Sequence, residues 1–217
     1  MKKIYIVGAG GFGREVAWLI ERINLVTPQW SLQGFLDDDV LKHGTKEGKY
    51  TVLGGCDYLD QETEDAWVVC AIGRACVREK VVEKISCYKH IKFATLIDPS
   101  VLFSDSVVIG EGSIICAGTI LTVDIRVGKY VIINLDCTVG HDTVIADYVT
   151  ICPSVNVSGY ATVEQGAELG TGVQVIQGRR IGKGTILGAG AVVVRDLPEK
   201  CTAVGVPAKP VKFRSEE

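Results

Sequence analysis

The sequence has few aromatic residues and no surplus of basic charge. Aromatic side chains make up 7% of the 217 residues, and 23 Lys and Arg stand against 26 Asp and Glu, for a formal net charge of -3 at pH 7. A nucleic-acid-binding domain usually carries a basic excess, so the composition argues against nucleic acid as a partner. Any anionic ligand must therefore be held by a local group of residues.

Long apolar runs are also missing. No stretch approaches the roughly 20 apolar residues that a membrane-spanning helix needs, and the apolar run at residues 4–7 is too short for a signal peptide. The eight cysteines include no C-x-x-C pair, which favours small buried side chains over a metal or redox site. We therefore expect a cytoplasmic protein without a membrane span, a bound metal or disulfides.

A repeat of six residues organises the second half of the chain. Every sixth residue from Ile97 to Val193 is apolar, which makes seventeen positions without an insertion. A six-residue period fits neither an α-helix nor a β-hairpin array, but it fits short strands turned at regular intervals. The sequence therefore predicts a parallel β-helix of about 18 residues per coil. The aliphatic side chains would point inward, and the small residue that often follows each of them would allow the corner.

The N-terminal residues predict a nucleotide-binding turn. A buried strand at residues 3–7 leads into Gly8-Ala9-Gly10-Gly11-Phe12-Gly13, and an amphipathic helix is expected over residues 14–23. In such a strand–turn–helix arrangement, glycines let backbone N–H groups and the helix N-terminus approach a phosphate.

Two further strands complete this first region. The second, residues 32–36, ends in Asp37-Asp38, where a carboxylate could meet a ribose hydroxyl or simply be a solvated strand end. The third, residues 67–72, ends in Gly73 and leads into a helix over 77–85. Three βα units make half of a doubly wound sheet, which favours a mononucleotide or nucleotide-sugar over a dinucleotide. A purely structural glycine turn is the remaining alternative.

Only one of the three histidines lies inside the repeat. His141 is followed by Asp142 at the end of a predicted strand, so a neutral imidazole would face outward beside a carboxylate. Such a pair can take a proton from an amine or hydroxyl that attacks a thioester. Taken alone, an exposed histidine at a corner is more often a surface residue without a catalytic role. The functional interpretation therefore depends on the residues around it.

The segment from Asn134 to Gly159, which contains His141-Asp142, resembles the sugar acetyltransferases related to sialic acid O-acetylation and bacillosamine N-acetylation. Those hexapeptide-repeat enzymes also have a small glycine-rich N-terminal domain that ends in an Asp-Asp strand, so the resemblance spans the whole chain. It implies an α/β half-Rossmann domain at residues 1–92 that binds a nucleotide-sugar. It also implies a left-handed parallel β-helix at residues 93–217 that carries the acyltransferase and a C-terminal cap. Acetyl-CoA as co-substrate and a homotrimer with sites between subunits are implied as well.

The resemblance implies a role for individual residues. His141 would be the general base, and Asp142 would be the acid that raises its basicity. The acceptor sugar and its nucleotide would be held by Gly10, Gly11, Phe12, Asp37, Asp38, Gly73 and Asn134. The acetyl-CoA groove would be lined by Thr150, Gly159, Thr171 and Ala189.

Coil arithmetic adds an expectation about Gly159. At 18 residues per coil, Gly159 stacks directly on His141, where its backbone N–H could stabilise the oxyanion that forms from a thioester. A corner that requires a positive φ is the equally weighted structural explanation of this glycine.

Several alternatives stay open at this point. The chain has Asp142 where the bacillosamine enzyme has Glu, and Thr150 where that enzyme has a second His, so the acceptor is undetermined. N-acetylation and O-acetylation are not separated, because one base serves both nucleophiles. A non-catalytic nucleotide-binding assembly module is a further reading. A metal-dependent hydratase of the γ-carbonic anhydrase kind would need three His ligands in the repeat, which has one.

Overall fold

The computed structural model describes residues 1–214. The chain divides into two compact units, the first from Met1 to Pro99 and the second from Ser100 onward. Within the described residues, no helix is long and apolar enough to cross a membrane.

The first unit is an α/β sandwich built on a mainly parallel sheet, which confirms the predicted class. Its strands are β1 (Lys2–Val7), β2 (Trp30–Leu36), β3 (Lys46–Glu47), β4 (Tyr50–Gly54), β5 (Ala66–Cys70), β6 (Ile91–Phe93) and β7 (Leu96–Ile97), and its helices are α1 (Gly11–Val26) and α2 (Ala75–Ile85). Six of the strands form one sheet in the order β3-β4-β2-β1-β5-β6, with every neighbouring pair parallel except β3 and β4. The glycine turn joins β1 to α1, as the sequence predicts.

The connection after β2 differs from the prediction of three βα units. In place of a helix, the chain forms a 3-10 turn at Val40–Lys42 and the β3–β4 hairpin, followed by a second 3-10 turn at Cys56–Gln61. The cause is local, because Asp39 accepts a hydrogen bond from the Leu41 N–H, and Gly48 turns the hairpin with a φ of 64°. Strand β4 then joins β2 at the sheet edge, which gives five parallel strands where three were expected.

The second unit is a parallel β-helix of two-residue strands in three sheets. The first sheet contains β8 (Leu102–Phe103), β11 (Ile120–Leu121), β14 (Thr138–Val139), β17 (Asn156–Val157), β20 (Gln174–Val175) and β23 (Val192–Val193). The second sheet contains β9 (Val108–Ile109), β12 (Arg126–Val127), β15 (Val144–Ile145), β18 (Thr162–Val163) and β21 (Arg180–Ile181). The third sheet contains β10 (Ile114–Ile115), β13 (Ile132–Ile133), β16 (Thr150–Ile151), β19 (Glu168–Leu169), β22 (Ile186–Leu187), β24 (Cys201–Val204) and the antiparallel β25 (Lys209–Phe213).

The register confirms the predicted coil length. Thr138 pairs with Asn156, and Thr150 pairs with Glu168, so each strand lies beside the strand 18 residues later. We call the turn from the first sheet to the second the first corner. The turn from the second sheet to the third is the second corner, and the turn from the third sheet back to the first is the third corner.

The core of the β-helix is the inward row of the repeat. All repeat positions from Ile115 to Val193 are buried, whereas Phe103 in the first coil is 47% exposed. That coil is less covered because β8 and β9 each have a stacked neighbour on one side only. Buried hydroxyl groups also point inward. Ser113, Thr119, Thr143 and Thr185 each donate a hydrogen bond to a backbone carbonyl, which satisfies them inside the core.

The small residues that follow the aliphatic positions have a different role from the one expected. A positive φ occurs two residues further along, as at Asp142 and Tyr160, so these small residues do not make the corner. They allow close stacking instead. A Cβ atom at Gly110 would lie 2.4 Å from the carbonyl oxygen of Gly128 on the next coil, a distance that would push the coils apart.

Candidate active site

His141 and Asp142 lie at the first corner, directly after β14. Nδ1 of His141 lies 2.8 Å from Oδ2 of Asp142, and the two side chains are 48% and 41% exposed. Asp142 has a φ of 58°, in the left-handed region that few residues other than glycine adopt. Since the carboxylate engages Nδ1, the other ring nitrogen, Nε2, is the one left for a substrate proton.

Gly159 packs against the imidazole from the next coil, as the coil arithmetic predicts. A Cβ atom at this position would lie 2.7 Å from both Cε1 and Nε2 of His141. Gly159 is not among the residues with a positive φ, and the left-handed residue of this turn is Tyr160. The conformational explanation of Gly159 is therefore wrong, and the glycine is required by the space that the imidazole occupies.

Gly159 is a buried residue whose backbone N–H differs from those of its two neighbours. Within residues 1–214, no group accepts a hydrogen bond from it, although the N–H groups of Ser158 and Tyr160 on either side are paired. A backbone N–H beside the base with no acceptor is suited to receive a developing negative charge.

Tyr160 is a neighbour of the base that the sequence analysis missed. Its ring centroid lies 5.0 Å from that of His141 at an interplanar angle of 88°, and its N–H donates to the His141 carbonyl at 2.9 Å. The coil length contained the signal, because a residue 19 positions after the histidine lies one step beyond the residue stacked on it.

The residues predicted to bind the coenzyme lie at two different corners and on one strand of the β-helix. Gly159 is at the first corner with His141, whereas Thr171 and Ala189 are exposed at the third corner and Thr150 lies on β16, with 7% of its surface exposed. Within one chain, the structure brings Gly159 to the base and leaves the other three on the third sheet and its turns.

Asn134, predicted to hold the acceptor, also lies at the third corner. Its Oδ1 accepts a hydrogen bond from the Leu135 N–H at 2.7 Å, and its side chain is half-buried. It belongs to the same coil as His141 but to another corner of that coil.

The glycine turn of the first unit leaves open space above the start of α1. Added Cβ atoms at Gly10 and Gly73 would meet nothing within 4 Å, and one at Gly11 would meet only the end of Arg14, at 3.9 Å. Gly10 is the N-cap of α1 and offers no side chain to the first N–H groups of the helix. Such an uncapped and accessible helix start can receive a phosphate.

Two other residues of the turn, Gly13 and Phe12, are packed against the rest of the first unit. Gly13 is needed for packing, because a Cβ atom there would lie 2.1 Å from the Gly8 carbonyl oxygen, and Phe12 is half-buried at the start of the helix. The turn, Asp37 and Gly73 follow β1, β2 and β5, which are adjacent and parallel. Their carboxyl ends therefore meet at one edge of the sheet, the edge at which open α/β folds bind ligands.

The Asp37 carboxylate is engaged within the first unit. Oδ2 accepts from the Ala9 N–H at 2.9 Å and from Lys42 at 2.8 Å, and Oδ1 accepts from the Asp39 N–H at 3.0 Å. Burial by itself raises the pKa of this carboxyl, but the hydrogen bonds from Lys42 and the two backbone groups outweigh it and hold the pKa below its ordinary value. Asp37 thus fixes the glycine turn at Ala9.

Asp38 and Gly73 are held in a similar way. The Cys56 N–H donates to Asp38 at 2.9 Å and is the main cause of the lowered pKa of this carboxyl, which Lys84 lowers further. The Gly73 carbonyl accepts a hydrogen bond from Arg78, which is 1% exposed. The sequence analysis did not identify Arg78 as important for this loop. Arg78 therefore anchors the loop after β5.

Residues 1–214 contain no group of three or more His, Cys, Asp or Glu side chains that could hold a metal ion.

Comparison with known proteins adds to this geometry. Residues 3–85 match the family described as the PglD N-terminal domain. The chain is 38% identical over 118 residues to the UDP-N-acetylbacillosamine N-acetyltransferase of Bacillus subtilis (strain 168) and 30% identical over 144 residues to the GDP-perosamine N-acetyltransferase of Escherichia coli O157:H7. These alignments cover 54% and 66% of this chain and 52% and 64% of the relatives, so the chain spans about half to two thirds of the curated relatives that it matches.

Solved structures resemble the chain over its full length. WeeI from Acinetobacter baumannii AYE has a TM-score of 0.88 with 34% identity and covers 97% of this chain and 100% of its own. The acetyltransferase domain of PglB from Neisseria gonorrhoeae FA1090, in complex with acetyl coenzyme A, has a TM-score of 0.87, 29% identity and coverages of 97% and 99%. A perosamine N-acetyltransferase from Caulobacter crescentus, with one histidine replaced by asparagine and with CoA and GDP-perosamine bound, has a TM-score of 0.84, 31% identity and coverages of 98% and 98%.

Proposed function

Because the chain belongs to the hexapeptide-repeat sugar acetyltransferases of the sialic acid O-acetyltransferase and UDP-bacillosamine N-acetyltransferase family, we propose that it transfers an acetyl group from acetyl-CoA to the amino group of a nucleotide-linked amino sugar. The observation that carries this proposal is the imidazole of His141, hydrogen-bonded to Asp142 and fitted against Gly159. An amino acceptor is favoured over a hydroxyl because the relatives named above are N-acetyltransferases.

His141 acts as the general base. Asp142 accepts a hydrogen bond from Nδ1, which leaves the lone pair on Nε2 for the amine proton as the nitrogen attacks the thioester carbonyl. A C–N bond forms and a C–S bond breaks. The proton passes through the imidazole to the departing thiolate, so CoA leaves as the thiol and the histidine returns to its neutral form.

Gly159 stabilises the negative charge that develops on the carbonyl oxygen. Two observations support this role: the N–H has no acceptor in the described residues, and Gly159 packs against the imidazole of the proposed base.

The two units divide the binding of the two substrates. We assign the nucleotide-sugar to residues 1–92, where the open turn at Gly10 and Gly11 and the loop at Gly73 receive the phosphates. We assign the coenzyme to residues 93–217, along Thr150, Gly159, Thr171 and Ala189. Both substrates are metabolites of the cytoplasm, where we place the enzyme.

A homotrimer completes the site. In one chain, Gly159 lies at the first corner and Ala189 at the third, so a single groove that contains both needs corners from two copies. Closed cyclic symmetry satisfies this for every copy at once. Exposed apolar side chains on the outward faces, Val108 and Val144 among them, favour such packing.

Thiol release tests the proposal. Acetyl-CoA and the protein are mixed with GDP-perosamine or UDP-linked amino sugars, and with matched sugars in which a hydroxyl replaces the amine. The exposed Cys76 and Cys87 react with thiol reagents, so a reaction without acceptor sets the baseline. We expect release that requires the amine and is lost in His141→Ala. Release with hydroxy sugars alone would identify an O-acetyltransferase, and nucleotide-sugar binding without release would identify a non-catalytic module.

A further inference from the structure

Residues other than glycine occupy a run of successive left-handed corners in the middle of the β-helix, and Lys200 near its end, with a φ of 52°, has the same conformation. The corners at Gly112 and Gly118 and those from Gly166 to Gly190 are glycines with a positive φ. Between them, seven successive corners have φ values of 56° to 59° without glycine, namely Asp124, Tyr130, Asp136, Asp142, Tyr148, Ser154 and Tyr160. A Cβ atom makes this conformation unfavourable, so a side chain that persists there needs a compensating role.

Two of these seven side chains contact His141. Asp142 binds Nδ1, and the Tyr160 ring packs at right angles to the imidazole with the centroids 5.0 Å apart. That arrangement is the edge-to-face geometry preferred by aromatic pairs. Tyr160 is 56% exposed, so its ring contributes little to the core of the β-helix.

The base needs a second restraint besides Asp142. A hydrogen bond at Nδ1 holds one atom of the ring, while the torsion between Cβ and the imidazole has broad minima. Gly159 lies against one side of the ring and has no side chain that would stop the ring from turning away from it. A flat group packed at right angles to the imidazole limits that rotation.

We propose that Tyr160 is a positioning residue, whose ring holds the His141 imidazole in the orientation that presents Nε2 to the attacking amine. The inference rests on the proposed function, because it assigns Tyr160 a part in the same base catalysis. The phenol hydroxyl has no part in it.

Replacement by glycine separates positioning from folding. Glycine is the residue found at the neighbouring corners, so Tyr160→Gly relieves the backbone conformation, and its Tm should equal or exceed that of the unmodified protein. We expect kcat to fall about tenfold, because a misplaced catalytic group slows the reaction while binding persists. The KM for acetyl-CoA should stay within about twofold.

Two matched variants control the measurement. Tyr160→Phe keeps the ring and should restore the kcat of the unmodified protein. Tyr148→Gly removes an aromatic ring from a corner of the same φ that packs on Tyr130 instead of His141, and it should leave kcat unchanged. An unchanged kcat in Tyr160→Gly, a Tyr160→Phe variant as slow as Tyr160→Gly, or an equal loss in Tyr148→Gly would overturn the inference.

Ring dynamics provide a readout that does not depend on the acceptor. The chain has three histidines, so the NMR signal of the His141 Cε1–H group can be assigned by its disappearance in His141→Ala. Its order parameter should fall in Tyr160→Gly and persist in Tyr160→Phe. An unchanged order parameter would refute positioning by Tyr160. Full activity in His141→Ala would refute the proposed function itself, so the two failures are distinguishable.

Discussion

At the scale of single residues, the proposed base is surrounded by groups from two coils that meet at one corner. Asp142 follows His141 in sequence, whereas Gly159 and Tyr160 come from the coil stacked on it. The rigid stacking of backbones holds these contacts, so substitutions there should change catalysis more than stability.

Replacing the base should remove most of the activity. His141→Ala should lower kcat about a hundredfold or more, because general-base assistance is lost, and should leave the acetyl-CoA KM nearly unchanged. Asp142→Asn should cost less, since an amide oxygen can still face Nδ1. Steady-state thiol release measures both variants. Undiminished turnover in His141→Ala would refute the mechanism.

A single methyl group at Gly159 should displace the base. The added Cβ of Gly159→Ala would lie 2.7 Å from the ring, so the half-exposed imidazole has to rotate outward and kcat should drop at least about tenfold. Circular dichroism should show little loss of stability. Ser158→Ala, next to it on the exposed surface, is the control and should keep its activity. Full activity in Gly159→Ala would show that the imidazole does not need this space.

At the scale of elements, the nucleotide-sugar site that we propose for the first unit lies at the junction of β1 and α1. The turn between them is held by Asp37, which accepts the Ala9 N–H, while Gly10 and Gly11 leave the start of the helix open. The carboxylate shapes the turn, and the glycines leave space for the ligand.

A large side chain at position 11 should weaken binding of the nucleotide-sugar and leave binding of acetyl-CoA unchanged. Gly11→Leu meets only the end of the flexible Arg14 side chain, so the unit should fold, but the added side chain fills the path to the helix N-terminus. We expect a higher KM for the nucleotide-sugar and an unchanged KM for acetyl-CoA, with Gly11→Ala as the small control. Kinetics with both substrates varied will measure this. An equal rise in both KM values would contradict the division of binding between the units.

Asp37 should make the first unit sensitive to acid. Its folded pKa lies below the ordinary value of 3.8, so its contribution to stability is present above that value and is lost as the pH falls through the folded pKa. Asp37→Asn should therefore lower the urea midpoint at pH 7, and the difference should shrink as the pH falls below 3.8. All three tryptophans, at positions 18, 30 and 67, lie in this unit, so their fluorescence reports it. Glu83→Gln, at an exposed position of the same unit, is the control, and a difference that persists in acid would contradict the assignment.

At the scale of the whole molecule, the distribution of residues over corners predicts the assembly. Asn134 and Ala189 lie at the third corner and His141 at the first, so neither corner holds the complete set. A trimer that pairs unlike corners would supply one complete groove at each of its interfaces.

Mixed assemblies should recover activity that neither variant has alone. We expect His141→Ala and a third-corner variant, Ala189→Arg, each to be impaired, and their co-expressed mixture to regain roughly a quarter of the native activity, because random pairing rebuilds that share of intact interfaces. Sedimentation should give three times the mass of the chain. A fully active monomer, or a mixture as inactive as its parts, would contradict a site shared between copies.

The sequence by itself determined the β-helix, its coil length and the candidate base with its acid. A period of six is a local pattern repeated seventeen times, and stacking every third hexad follows from it without knowledge of distant contacts. The glycine turn between β1 and α1 is also encoded within a few neighbouring residues. The hairpin after β2 was missed, because the 3-10 turn of Asp39 and the edge pairing of β4 depend on short-range hydrogen bonds that periodicity does not report.

Only the tertiary structure decided which contacts surround the base and why the glycines are there. Gly159 is required by an imidazole 18 positions away, Tyr160 packs on that same ring, and Gly110 is required by the backbone of the next coil. It also separated the predicted coenzyme residues between two corners. The physical reason is that a repeat specifies the path of the backbone, while the direction of each side chain and the space beside it are set by coils that meet only after folding.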